Sequence, residues 1–465
     1  MKLPGFIDSH MHYLGLGYTS SNVDLTKANS IVEIIALLKE ELPKPVLIGR
    51  GWNQENLLEK RMLNKEDLNA VSRDIPIIMT RVCGHVLTAN DKMLELAGIT
   101  KDTIQVDGGT FNYDTGVFSE NALSLILSSL SKPTTMDLEN YLQLADKILL
   151  KNGITSVASD DFCIFNIPFE DVIAVINKMV AEDKIHVNIT EQVNLPLNEL
   201  KRFIEKGFVN KEFKKFKMGP LKILADGSLG GKTAYLNKPY EDDPSNRGIY
   251  TYSDDELFEL IHLANSNGMD VVIHAIGDAS VDQVLKCLIK SIEQTKRFKH
   301  HHAIIHAQLA THKQIKLMKK YHIGAIIQPI FLNSDIKIIE SRIGERMNES
   351  YLFKTMVDEG LNVGFSTDSP IEPINPFYNI YSAITRKSIK EPDLKAFLVE
   401  EGCDLETALK CYTINNLPYI KRKEMPLGDY IVIDKNIYDI NSKSLLNISI
   451  LETYIDNELV YKKAL

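Results

Sequence analysis

Cysteine is scarce: there are five among 465 residues, at Cys83, Cys163, Cys287, Cys403 and Cys411. The number is odd and no two form a CxxC pair. A disulfide framework and a cysteine-type zinc site are therefore not expected, and a reducing, cytoplasmic setting fits best. Long apolar runs are missing too; none reaches the ~18 residues that span a bilayer. The amino terminus reads MKLPGFIDSHMHY, with no apolar stretch after its first lysine, so no signal peptide is expected. Nor is there a basic excess. Lys and Arg number 53 against 62 Asp and Glu, a net charge of -9. That balance argues against nucleic acid or an anionic membrane as the main partner. Repeats of about 20–50 residues and low-complexity tracts are absent, which sets aside solenoids and arrays.

What remains is an ordinary globular composition, 44% hydrophobic and 25% charged, in a chain long enough for a large core. At roughly 100–200 residues per domain, the length predicts two or three domains or one large barrel with insertions. The recurring pattern is a short apolar run followed by an amphipathic helical stretch. The runs are PGFIDSHMH near the start, then Gly153–Ser159, Lys184–Val193, Pro220–Gly227, Met269–Asp278, His302–Ala307, Ile323–Pro329 and Leu361–Pro370. They are short, rich in β-branched residues and bounded by Gly, Asp or Pro, as buried strands are. Eight such strands alternating with helices predict an α/β fold of the (β/α)8 barrel type.

Two segments do not fit the barrel. Residues 43–132 carry several short strand-like runs and predict an inserted, partly β subdomain near the barrel mouth. Residues 419–465 hold further strand-like runs with a hairpin signal at Asp456-Asn457, and predict a small β appendage. The barrel itself is then expected from 1–42 and 133–418.

Polar residues collect at the carboxyl ends of the predicted strands: His10, His12, Lys222, His274, His306 and Asp368. In a barrel that end is the catalytic face. His10 and His12 are two apart, so on a strand both point the same way. Two imidazoles on one face make a chelating pair, and zinc needs a third ligand and an open position for water. His274 and His306 offer a second metal position. Asp368 can bind metal and accept a proton from water. Lys222 has two readings. Carboxylation by CO2 turns it into a bridging carboxylate; otherwise it is a neutral amine beside one metal or none.

These residues also carry a resemblance. PGFIDSHMH is similar to the first-strand signature of the amidohydrolase superfamily. The chain further resembles amidohydrolase family 3, in the YtcJ-like group that includes N-substituted formamide deformylase. The matching stretches are Gly49–Arg61, Arg81–Ile99, Asp114–Leu123, Leu221–Tyr240, Asn246–Tyr250, Val271–Leu285, Ile305–Gln308, Ser366–Lys387 and Ala408–Asn416. The resemblance implies a metal-dependent hydrolase barrel. His10 and His12 would bind one metal, His274 and His306 a second, with Lys222 carboxylated between them and Asp368 as ligand and general base. The implied cofactor is a divalent metal, zinc by default, one or two per chain. The implied substrate is a small molecule with an amide-like, non-peptide carbon-nitrogen bond. An ester or lactone hydrolase on the same metals, or a scaffold without catalysis, are the alternatives.

Other expectations are looser. His85 and Arg81 fall in the insertion and are candidates for substrate contact, with Asn90 beside them. Asp226 and Asp278 follow ligand strands and either orient ligands or cap helices. Glu120 is read as structural, Trp52 as packing, and His300–His302 as a solvated lead-in to the sixth strand. Relatives carry a composite β-sandwich whose strands begin upstream of the HxH strand. Here Met1 stands just before Pro4, so the appendage is expected to be a truncated sandwich whose carboxyl-terminal strands lack their usual partners. A homodimer is expected as the commonest assembly.

Overall fold

The computed structural model describes residues 1–464 except 83, 107–108 and 392, so Cys83 and Gly108 of the sequence motifs lie outside the described residues. The chain folds as two compact units, Met1–Leu16 with Leu138–Leu465, and Gly17–Asp137.

The first unit is built on eight parallel strands. They are β1 (Phe6–Met11), β2 (Ile154–Ser159), β3 (Asn188–Val193), β4 (Phe216–Leu224), β5 (Val271–Ala275), β6 (Ala303–His306), β7 (Gly324–Ile327) and β8 (Val363–Phe365). Each pairs in parallel with the next, giving one sheet in sequence order. Helices such as Phe169–Ala181, Asp254–Ser266 and Asp278–Thr295 pack outside and share one core with the strands. Strands covered on both faces must be apolar throughout. That is why they read as continuous hydrophobic runs rather than alternating ones.

The sheet curls into a nearly closed barrel. Among the described residues no strand ladder joins β8 to β1; two backbone hydrogen bonds just past β8, from the Asp368 amide to His10 O (3.0 Å) and from the His12 amide to Ser369 O (2.9 Å), close that seam together with side chains. Asn416 donates through Nδ2 to the carbonyls of Ile7 (2.6 Å) and Phe365 (2.8 Å). Ser9 Oγ donates to Phe365 O at 3.0 Å, and the buried Asp8 carboxylate accepts from the Thr367 amide and hydroxyl. Small residues are needed where Asn416 and its neighbours enter. A Cβ on Gly364 would stand 2.0 Å from Asn416 Oδ1, and one on Gly324 2.0 Å from the Tyr419 hydroxyl.

The segment before β6 differs from expectation. His301 is exposed, but His300 and His302 are buried, with rings stacked 4.1 Å apart. His302 Nδ1 accepts from the Val271 amide, and Nε2 faces Asn265 Oδ1 at 3.2 Å. The solvated lead-in is therefore corrected: these imidazoles fill the base of the barrel, where β5 and β6 begin, because both His302 ring nitrogens and His300 Nδ1 meet buried polar partners there.

The appendage is a four-stranded antiparallel sheet of Lys2–Pro4, Tyr430–Ile433, Ile450–Ile455 and Glu458–Lys462. Residues before the HxH strand thus supply a partner for the carboxyl-terminal strands. Asp456 and Asn457 both take positive φ, 55° and 66°, as a tight two-residue hairpin turn requires.

The second unit holds a six-stranded mixed sheet. Its order is Val23–Asp24, Leu47–Trp52, Ile77–Arg81, Val86–Ala89, Val117–Glu120, Gly109–Asn112. Trp52 is fully buried there and donates from Nε1 to Met79 O at 3.2 Å. Among the described residues, no helix is long and apolar enough to cross a membrane.

Candidate active site

The carboxyl ends of the barrel strands bring together the residues singled out from sequence. His10 and His12 lie on and just after β1, Lys222 on β4, His274 on β5, His306 at the end of β6, and Asp368 follows β8. His10 Nε2 is 3.3 Å from Asp368 Oδ1 and 3.3 Å from Lys222 Nζ. His12 Nε2 is 3.2 Å from the same Asp368 oxygen. The His306 ring stands 6.0 Å from His10 and 4.4 Å from His274, centroid to centroid. One ligand atom each from His10, His306 and Asp368 fall within 4.8 Å of one another.

The hydrogen bonds around the rings fix which nitrogen is free. Gln192 donates from Nε2 to Ser9 O, so its Oε1 accepts, and His10 Nδ1–H is the donor at 2.6 Å. Gln328 donates to Ser366 Oγ, so its Oε1 accepts from His306 Nδ1–H at 2.7 Å. His12 Nδ1–H donates to the Asp160 carbonyl at 3.0 Å. Each of these imidazoles therefore turns Nε2 toward the cluster, and that nitrogen carries the lone pair when the ring is neutral. His274 is the reverse: Nε2–H donates to Gly227 O at 3.1 Å, leaving Nδ1 as the acceptor.

Nε2 of His10 and Nε2 of His12 thus both converge on one carboxylate oxygen of Asp368. Such a cluster calls for a cation. The electrostatics follow. Burial, the Lys222 charge and the neighbouring His12 lower His10 to about 4 despite Asp368, so it stays neutral. Burial and His274 hold His306 well below its usual range. Burial opposes charge on His12, but the hydrogen bond and charge of Asp368 outweigh it and raise its pKa to about 9. Asp368 is held well below the usual carboxylate range, the pull of His10 and His12 overcoming burial. Burial lowers the pKa of Lys222. Neutral His10 and His306, an ionised Asp368, an amine with a lowered pKa and a His12 that gives up its proton on binding are the donor set a transition-metal ion takes.

The looser candidates are placed as follows. Asp226 accepts from the amides of Tyr235, Ile276 and Gly277 and stands 3.4 Å from His274 Nε2, so it ties the loops after β4 and β5 around that ring. Asp278 opens the helix Asp278–Thr295 and accepts from the Asn237 amide at 3.0 Å; no ligand candidate is among its hydrogen-bond partners. In the second unit, His85 is exposed and paired with Glu120 at 3.0 Å. Arg81 donates to Gln54 and Asn53. Asn90 caps the helix Asp91–Leu96.

Gln192 and Gln328 were not singled out from sequence, although both stand at strand ends, in ITEQV and AIIQP. A polar residue at the carboxyl end of a strand is the signal that marks the histidines, and it marks these two amides as well. Phe331, whose ring stacks on His306 with centroids 5.4 Å apart, carried no signal of its own.

The sequence matches the Amidohydrolase family over residues 1–461. The chain belongs to the amidohydrolase family. It is 31% identical to the Bacillus subtilis (strain 168) protein YtcJ over 485 aligned residues, covering 100% of this chain and 89% of that one. N-substituted formamide deformylase of Arthrobacter pascens is 21% identical, over 99% of this chain and 88% of the relative. Among solved structures, an uncharacterized metal-dependent hydrolase from Pyrococcus horikoshii OT3 superposes with a TM-score of 0.79. It is 30% identical, and the match covers 95% of this chain and 87% of that one. This amidohydrolase thus shares its overall fold with a solved structure at 30% identity.

Proposed function

We propose that this amidohydrolase is a metal-dependent hydrolase of amide-like, non-peptide carbon-nitrogen bonds. The convergence of His10 and His12 Nε2 on the Asp368 carboxylate carries the reading. A metal-dependent hydrolase among the similar structures and a formamide deformylase among the relatives support it.

On this reading His10, His12 and Asp368 hold one divalent metal, zinc by default, and His274 and His306 a second. A metal bound there supplies Lewis acidity, which acidifies water toward a pKa of about 7 and polarises a carbonyl. The protein's own residues do the rest. Gln192, Gln328 and the Asp160 carbonyl fix the tautomers and aim of three imidazoles, as partners behind metal ligands do. Asp368 Oδ takes the proton of the attacking water and delivers it to the leaving nitrogen. Phe331 walls one side of His306 and excludes water. Lys222, with burial favouring its neutral form, is the nucleophilic amine that CO2 requires. Its carbamate would replace an ammonium facing the imidazoles with a bridging carboxylate. On this reading the chain works in a reducing, cytoplasmic setting, which its few cysteines support.

Metal per chain, measured by plasma mass spectrometry on protein purified without chelator, tests this. About two equivalents of zinc support the paired site and a carboxylated Lys222, and about one supports a mononuclear site. None, with none taken up on titration, overturns the hydrolase reading.

A further inference from the structure

Glu372 belongs to the turn that carries Asp368 but is not one of the converging groups described above. The Ile371 amide donates to the Asp368 carbonyl at 2.9 Å, which brings Glu372 onto the same face of the barrel. Its residue is only 5% exposed. One carboxylate oxygen accepts from the Ser334 hydroxyl, and the other, Oε2, has no hydrogen-bond partner. Lys390 Nζ is 3.9 Å from Oε2, beyond hydrogen-bond reach, on a side chain 60% exposed. The neighbouring acid contrasts with it: Asp335 accepts from both Gln308 and Tyr351.

The position is built, not incidental. Ser334 sits on the short helix Leu332–Asp335, directly after Phe331, whose ring stacks on His306. That helix is anchored on both sides. The Ile330 amide donates to Asn379 Oδ1, and Asn333 Oδ1 accepts from Ser388 and Ile389. The loops after β7 and β8 therefore hold a buried carboxylate oxygen without a hydrogen bond, tied through Ser334 to the helix that follows the aromatic Phe331. Buried polar atoms are nearly always satisfied, so one left open next to a reaction site marks a place for a ligand's donor. An aromatic face beside a carboxylate suits an organic cation, by cation–π attraction and ion pairing together.

We propose that Glu372 is a specificity-determining residue that accepts a protonated nitrogen of the substrate, so that preferred substrates are amides carrying a second, cationic amine. The inference rests on the proposed hydrolase reading of the same site. Lys390 is the loosely held cation that the substrate ammonium displaces.

The test uses the full chain loaded with metal and two probes of one shape, benzylammonium and benzyl alcohol, followed by saturation-transfer NMR and calorimetry at pH 7.5. The wild type is expected to bind benzylammonium at least tenfold more tightly than the alcohol. Glu372→Gln should bring that ratio close to one with metal content unchanged. Lys390→Ala, an exposed change that does not depend on how the glutamine variant folds, should raise it. Equal binding of both probes by the wild type, or a ratio unmoved in both variants, overturns the inference. A chain that takes up no metal but keeps the Glu372-dependent preference sinks the hydrolase reading alone. A metal-loaded chain that hydrolyses neutral N-alkyl formamides and shows no ammonium preference sinks the Glu372 assignment alone.

Discussion

Two of the converging side chains sit on left-handed backbone, His306 at φ 73° and Asp368 at φ 56°. For a residue with a Cβ, that conformation costs about 1–3 kcal/mol and persists where surrounding contacts impose it. Gln328 on His306 and the two hydrogen bonds to Asp368 are such contacts. Asparagine tolerates left-handed backbone as well as aspartate does. Asp368→Asn should therefore fold and keep bound metal, yet lose a general base. Steady-state assays should show turnover lower by about 10²–10⁴-fold; near-normal turnover would remove Asp368 from that role. At this scale the sequence was most legible where chemistry is concentrated in ionisable types, as in HMH and STDSP. It was least legible at Gln192 and Gln328, because an amide advertises no charge and its contribution is visible only in what it holds.

Among the elements, the eight strands could be read directly, since each is a short apolar run ending in a polar residue. The closure of β8 onto β1 could not. It depends on Asn416, about fifty residues beyond β8, and on room left by Gly364, neither of which has a local pattern. Asn416 Nδ2 serves two buried carbonyls at once, while its Oδ1 lies where a Cβ on Gly364 would intrude. Asn416→Ala should cost about 1–3 kcal/mol by removing the donor to the Ile7 carbonyl and one of the two donors to the Phe365 carbonyl, which Ser9 still serves. Gly364→Ala should cost about 1–3 kcal/mol by overpacking. Because both act on one contact, the second change should cost less in the first background. A double-mutant cycle by urea unfolding measures this; strict additivity would show that the seam is not where the strain arises. The amino-terminal strand Lys2–Pro4 escaped the reading for a related reason: three residues carry too little period to be called.

For the molecule as a whole, the base of the barrel sets a dependence on acid. Burial and the neighbouring His300 lower His302 to about 3, although Asp270 pulls the other way and Arg297 and His301 add positive charge nearby. The imidazole pKa is thus depressed on folding. Its contribution is fully present above about pH 6.5. It is lost as pH falls, because the unfolded chain takes up a proton that the folded chain refuses, at a slope of up to ~1.4 kcal/mol per pH unit. His302→Asn should be less stable at pH 7.5 but should lose less between pH 7.5 and 5 than the wild type does. Denaturant unfolding at the two values checks it, and parallel curves would sink it. The seam has one more consequence, in time rather than in energy. A ribosome delivers the HxH strand some 350 to 400 residues before Asp368 and Asn416. Until then the nascent chain offers a bare histidine pair without its carboxylate, so the complete set of donors is withheld until the barrel closes, and closure itself acts as the maturation step.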